Sequence, residues 1–164
     1  MNDLHPAIAA ALAASGIPHS IVRHADLGVP VRGPGDVAAA CGLEIGQITK
    51  TLLLCARDGR TFVVVTPVLD RLPLRSLAAE LKAGRLSLAS LDTLSQVTGY
   101  PPAGVSPLGV PAGPRVLVAA GLLAWREILV GGGAPGVEVR LAAVDLVAVS
   151  AADVIEINPA VDET

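Results

Sequence analysis

Residues 48–68 read ITKTLLLCARDGRTFVVVTPV, and this stretch decides the fold. Ile48 to Ala56 is a run of aliphatic and β-branched residues, and Thr61 to Val68 is richer still in Val and Thr. Such side chains pack well on a pleated surface. Asp58-Gly59 between the two runs signals a tight reversal, since glycine accepts the positive φ that such turns demand. The reading is an antiparallel hairpin. Alternation along its first strand sets Ile48, Lys50, Leu52 and Leu54 on one face, and Thr49, Thr51, Leu53 and Cys55 on the other.

Outward from the hairpin, helices and strands intermingle. Toward the N-terminus, Pro6 to Ala14 is alanine-rich and stopped by Gly16, which predicts a short helix. Ile17 to His24 reads as extended, Gly28 to Gly35 as a loop, and Asp36 to Cys41 as a second short helix. Toward the C-terminus, helices are predicted over Leu74 to Lys82, Ser90 to Val97 and Ala143 to Val149. Strands are predicted at Arg115 to Ala119, Glu127 to Val130, Val137 to Leu141 and Val154 to Ile157. No repeat or linker interrupts residues 1–164, so one mixed α/β domain is expected, not a doubly wound parallel sheet.

Composition narrows the function. Hydrophobic residues make up 52% of the chain and charged residues 16%, which excludes a disordered chain. Phe62, Tyr100 and Trp125 are the only aromatics, so stacking platforms for single-stranded nucleic acid are lacking. A net charge of −3 argues against broad wrapping of a nucleic-acid backbone, though not against a protein that holds one RNA end. Cys41 and Cys55 sit in separate apolar segments without C-x-x-C spacing and read as buried thiols in a reducing compartment. The longest apolar run, Val116 to Trp125, is too short to cross a bilayer. The N-terminus carries Asp3 and His5 and no basic region ahead of a signal-like run, so a cytoplasmic protein is expected.

Lys50 is the residue that stands out, because charged groups avoid dry strand faces unless paired. The ordinary alternative is snorkelling at a strand end, with the stem on the core and the ammonium in water. On composition alone that alternative is the stronger. A phosphate loop is excluded, since Thr49 stands where glycine is needed and a strand follows. Gly131, Gly133 and Gly136 have dinucleotide-fingerprint spacing, but Pro135 and a strand follow where a helix should begin, so a hairpin turn is expected. Ser106, in Gly104-Val105-Ser106-Pro107-Leu108-Gly109, narrowly misses the nucleophile elbow. His5, His19 and His24 show no metal-ligand pattern, and no metal or organic cofactor is expected. Any hydrolytic nucleophile is then a water. The loop from Thr98 to Pro111 reads TGYPPAGVSPLGVP, and its stiff, closely approachable backbone suits an ester carbonyl.

In chain order, the sequence carries Lys50-Thr51-Leu52-Leu53, then Thr66-Pro67 closing the Val63 strand, then Thr98-Gly99-Tyr100 through Leu108-Gly109. Gly132-Gly133 follows, ahead of Leu141-Ala142-Ala143-x-Asp145-Leu146. From about Ile17 to Val149 these motifs resemble the YbaK family of aminoacyl-tRNA deacylases, related to the editing domain inserted in bacterial prolyl-tRNA synthetase. The resemblance implies a curled, mostly antiparallel mixed β-sheet flanked by short helices. It also implies hydrolysis of the ester between a small mischarged amino acid (Ala, Cys, Ser or Thr) and its tRNA. The family's essential lysine falls on Lys50 and its substrate loop on Ala103 to Pro107. Further substrate contacts fall on Thr51, Gly99, Tyr100, Gly104, Val105, Ser106, Pro107, Gly131, Gly132, Gly133 and Glu138.

Three departures bear on specificity. Ala103 replaces the usual glycine that opens the loop, Gly131 stands where the cysteinyl-tRNA deacylases have serine, and Glu138 replaces an aspartate. The implied partners are the 3′ acceptor end of an aminoacyl-tRNA and a synthetase. Arg71, Arg75, Lys82 and Arg85 form a candidate weak contact to tRNA phosphates, Arg75 and Lys82 being seven apart on one predicted helix face. A solvated helix surface is the slightly stronger alternative. Two other function classes compete: a module that binds aminoacyl-tRNA or a small ligand without cutting it, and a nucleotide-binding protein using the Gly131 to Gly133 turn.

Overall fold

The computed structural model describes residues 3–160. The hairpin forms as the sequence indicates, with β2 at Thr49–Ala56 and β3 at Thr61–Pro67, paired antiparallel from Thr49↔Pro67 to Cys55↔Thr61. Gly59 supplies the turn with φ of +94°, and Asp58 accepts hydrogen bonds from the Arg60 backbone and guanidinium. Ahead of it come α1 (Pro6–Ser15), β1 (His19–Arg23) and α2 (Pro34–Cys41). After it follow α3 (Leu74–Glu80), β4 (Leu86–Leu88), α4 (Leu91–Thr98), β5 (Arg115–Ala119), β6 (Glu127–Gly131), β7 (Val137–Ala142), α5 (Ala143–Ser150) and β8 (Asp153–Ile155).

Two sheets result, ordered β4-β2-β3-β5-β8 and β1-β7-β6. β5 pairs parallel with both β3 and β8, and the remaining pairings are antiparallel. The sheets meet where Ile48 bridges Leu129, which curls the whole into a mixed, mostly antiparallel layer. This agrees with the expected α/β class. The central strands β2 and β3 are buried on both sides. Leu53, Val63 and Val65 face the main core with Ile8, Val130 and Leu146, while Leu54, Phe62 and Val64 meet Leu77 and Leu81 from around α3. A smaller cluster of Val37, Ala38, Ile48 and Leu129 seats α2 at the junction of the sheets.

Several boundaries differ from the sequence reading. β4 has no counterpart in it: three residues are too few for a periodic signal, and the β2 edge supplies the pairing. α2 begins at Pro34, whose missing N–H costs nothing in a first helical turn. α3 ends at Glu80, and Lys82 adopts φ of +51°, so the chain leaves the helix before Lys82. The two cysteines are unpaired as expected but only partly buried. Among the described residues, no helix is long and apolar enough to cross a membrane.

Candidate active site

The site is built on the β2 edge. β4 pairs with β2 only from Leu54 to Ala56, so the opposite half of the strand has no paired strand running along it on that side. Thr49 ties this half to β6, its hydroxyl donating to the Leu129 carbonyl at 2.7 Å. Gln47 does the same to the Glu127 carbonyl at 2.9 Å. Thr49, Lys50, Thr51 and Leu52 thus wall a cleft of about 290 Å3 whose other sides are Pro102 to Val105, Gly131, Gly136 to Glu138, and His24. The strand keeps its two-face alternation, with Leu53 toward the main core and Leu54 toward α3, and its open edge lets four successive residues line the cleft.

Lys50 is half-buried in this wall, and among the described residues it forms no ion pair or hydrogen bond. Lys50 stands in the wall of a cleft that it shares with the proline- and glycine-rich loop and with β7. Beside it, the Thr51 hydroxyl is buried and has no partner. An orphaned buried hydroxyl costs about 1–3 kcal/mol until a ligand or water satisfies it. The Thr66 hydroxyl, opposite Lys50 in the hairpin register, is orphaned in the same way and was not singled out from sequence.

The proline- and glycine-rich loop is held from behind. Tyr100 is 1% exposed; its hydroxyl donates to the Leu108 carbonyl and its ring meets His5 edge-on. Ser106 is fully buried and its hydroxyl accepts from the Leu108 N–H. The loop then presses on the β6–β7 turn backbone to backbone. Gly133 N–H donates to the Gly104 carbonyl at 2.7 Å. A Cβ on Gly104 would lie 2.5 Å from Ala134 N, and one on Gly131 would lie 2.1 Å from the Val105 carbonyl oxygen.

Of the residues the sequence put forward, Lys50, Thr51, Ala103, Gly104, Val105, Gly131 and Glu138 line the cleft. Gly99, Tyr100, Ser106, Pro107, Gly132 and Gly133 do not. Gly99 ends α4 with φ of +79°, Tyr100, Ser106 and Pro107 are buried supports, and Gly132 and Gly133 tie the turn to Val137, His5 and Gly104. Gly104 also differs from its expected role, because its N–H is committed to the Pro101 carbonyl at 3.0 Å. The Val105 N–H has no acceptor among the described residues.

The basic residues do not form one patch. Lys82 lies past the end of α3, so it shares no helix face with Arg75. Arg85 lines a separate groove with Cys55, Arg57 and Ser87, six residues along β2 from Lys50 and so about 20 Å away. Gly131 to Gly136 forms the expected β6–β7 turn.

His24, one of three histidines that the sequence leaves as a conceivable but unsupported distant base, stands in the cleft wall. Its Nε2 lies 3.0 Å from Glu138 Oε2 in the cleft wall. No motif marks it, because the pairing joins residues 114 apart in the chain. Cys41 is no candidate nucleophile: burial pushes its thiol up, with Arg140 only partly opposing.

Fold and site together define a mixed α/β domain with a cleft walled by an unpaired cation, Lys50, and by two residues with unpartnered polar groups, the Thr51 hydroxyl and the Val105 N–H. Residues 29–149 match the profile of the family described as the aminoacyl-tRNA editing domain. The chain belongs to that family. It is 30% identical over 106 residues to an Enterococcus faecalis protein provisionally named Cys-tRNA(Pro)/Cys-tRNA(Cys) deacylase EbsC; the aligned stretch spans 65% of this chain and 65% of that relative. Among solved structures, a protein provisionally described as a trans-editing enzyme for prolyl-tRNA synthetase superposes with a TM-score of 0.81. It is 24% identical and covers 96% of this chain and all of the other. The hypothetical protein APE2540 superposes equally well, TM-score 0.81, at 25% identity over 92% of this chain and 98% of the other.

Proposed function

We propose that this protein hydrolyses the ester of mischarged aminoacyl-tRNA carrying a small amino acid, with Lys50 as its essential cation and water as the nucleophile. The observation that carries this is the unpaired Lys50 ammonium walling the same cleft as the orphaned Thr51 hydroxyl and the free Val105 N–H. Lys50 holds the 3′-terminal nucleotide or its phosphate. That places the acyl carbonyl over the loop, where the Val105 N–H meets the oxyanion as the tetrahedral intermediate forms. A fixed donor of this kind needs no reorganisation during the reaction, and such donors are worth about a hundredfold or more in rate. A cleft of about 290 Å3 suits an acyl ester with a short side chain, and Ala103 narrows its mouth.

The tRNA touches the protein chiefly through its acceptor end, and a synthetase that produces the mischarged tRNA is the natural functional partner. The name of the E. faecalis relative puts cysteinyl-tRNA first among substrates to try. The test is a panel of alanyl-, seryl-, threonyl- and cysteinyl-tRNAs incubated with the pure protein and with Lys50→Ala. The expected result is release of one or two of these amino acids, and a fall in kcat/KM of about a hundredfold in the variant. Full activity in Lys50→Ala would reject the role of the lysine; binding of substrate without turnover by the native protein would make this a non-catalytic module.

A further inference from the structure

We propose that Thr66 is the positioning residue of Lys50: its buried hydroxyl accepts one N–H of the lysine ammonium and so aims the other two at the substrate. This inference rests on the deacylase reading above and adds a residue to it. Lys50 and Thr66 are cross-strand partners in the hairpin register. Side chains at such positions stand on the same face of an antiparallel pair, with Cβ atoms about 4.5–5.5 Å apart. The face continues in one direction with Leu52 opposite Val64 and Leu54 opposite Phe62. In the other direction come Ile48 and Val68, joined by the Val68 N–H donating to the Ile48 carbonyl at 2.9 Å. Every other side chain on this face is therefore aliphatic or aromatic. The two polar ones stand directly opposite each other.

Both are also without a partner. Thr66 is 0% exposed, and its hydroxyl makes no hydrogen bond. Among the described residues the Lys50 ammonium makes no hydrogen bond or ion pair. An ammonium has three donors and no acceptor, whereas a hydroxyl has two lone pairs to offer, so the two vacancies match. A buried hydroxyl without a partner is a standing cost to the fold. Valine has nearly the same shape without that cost, and it fills the three preceding positions of β3, Val63 to Val65. Threonine in the fourth position breaks that run opposite the lysine and nowhere else.

The contact needs no backbone movement. β2 and β3 are paired residue for residue through this stretch, and Thr49 fastens the position before Lys50 to the Leu129 carbonyl at 2.7 Å. Rotation about the terminal bonds of the lysine brings its nitrogen to the hydroxyl. The four-carbon stem is flexible, and holding it in one direction costs rotamer freedom. A fixed acceptor beside the stem meets part of that cost before substrate arrives. Ile48 and Val68, the next pair along, line a hollow of about 280 Å3, so an untethered stem has room to turn away from the cleft.

The experiment measures kcat, KM and thermal midpoint for the native protein, Thr66→Val, Thr66→Ser, Lys50→Ala and the Thr66→Val, Lys50→Ala double variant on the best substrate of the panel. Thr66→Val is expected to lower kcat/KM roughly tenfold, the size of one hydrogen bond to a charged group. Its thermal midpoint should be no lower than that of the native protein, because an unsatisfied hydroxyl leaves the core. Thr66→Ser keeps the hydroxyl and should keep most of the activity. Added to Lys50→Ala, Thr66→Val should cause no further loss, since the residue acts through the lysine. Native kcat/KM in Thr66→Val would overturn the proposal. So would the same fractional loss with and without Lys50, or a loss that follows a lowered thermal midpoint and that serine does not restore. If Lys50→Ala is impaired while Thr66→Val is not, only the Thr66 assignment fails. If Lys50→Ala keeps full activity, or the native protein cleaves nothing, the reading of the site fails first and this one with it.

Discussion

At Gly131 one methyl group decides whether the cleft can close. A Cβ there would come within 2.1 Å of the Val105 carbonyl oxygen, which belongs to backbone and cannot swing aside. Gly131→Ala must therefore push the loop away from β6. The expected cost is about 1–3 kcal/mol, read as a drop of several degrees in thermal midpoint, with weakened activity because the Val105 N–H moves with the loop. Glycine at this position is thus part of how this chain packs, since any side chain there meets the same carbonyl. Tyr100 offers a second residue-scale test. Burial pushes its phenol up to about 12, against an ordinary value near 10. Between these values the unfolded chain gives up the proton while the native chain keeps it, so stability is undiminished below pH 10 and falls as pH rises toward 12. Tyr100 is the only tyrosine in the sequence, so phenolate absorbance should stay absent until the fold opens, and Tyr100→Phe should remove this contribution to alkaline unfolding.

Among the elements, α4 shows how a short helix is kept in place to carry a functional loop. Ser90 caps it by accepting from the Thr93 N–H at 3.2 Å, and Gly99 ends it in the left-handed region. Thr98 adds a bond from its hydroxyl to the Leu94 carbonyl and accepts from the Tyr100 N–H, so the helix end and the loop start are one unit. Ser90→Ala should cost about 1 kcal/mol in urea unfolding while leaving kcat unchanged, because the loop is also fastened through Tyr100 and Gly133. The long elements of the hairpin were legible because their composition, turn and length all agree. β4 was not, and neither was the true end of α3. A three-residue strand exists only because an edge is waiting for it, and a helix ends where tertiary contacts stop supporting its last turn.

For the whole molecule, charge is spread too thinly to grip a nucleic acid along its length. The net charge is −3, and the candidate arginines and lysine are divided between the region after β3 and the far end of the hairpin. An acceptor end held mainly in the cleft makes few phosphate contacts. A plot of log kcat/KM against log salt should then be shallow, with a slope no steeper than about −2. Arg85→Glu should leave that slope unchanged, because its groove lies at the other end of β2; a steep slope flattened by that variant would show that the stem reaches it.

The sequence by itself determined the α/β class, the central hairpin, the glycine turn between β6 and β7, and Lys50 as the residue out of keeping with its strand. These are local matters, set by side-chain period, turn chemistry and the cost of burying charge. Only the tertiary structure decided that four successive residues of β2 share one cleft, that Tyr100 and Ser106 stand behind the loop instead of in the site, and that His24 meets Glu138. Those outcomes depend on which strand edges remain uncovered and on contacts between segments more than a hundred residues apart. Local spacing carries no record of such distances, so only packing could bring those groups together.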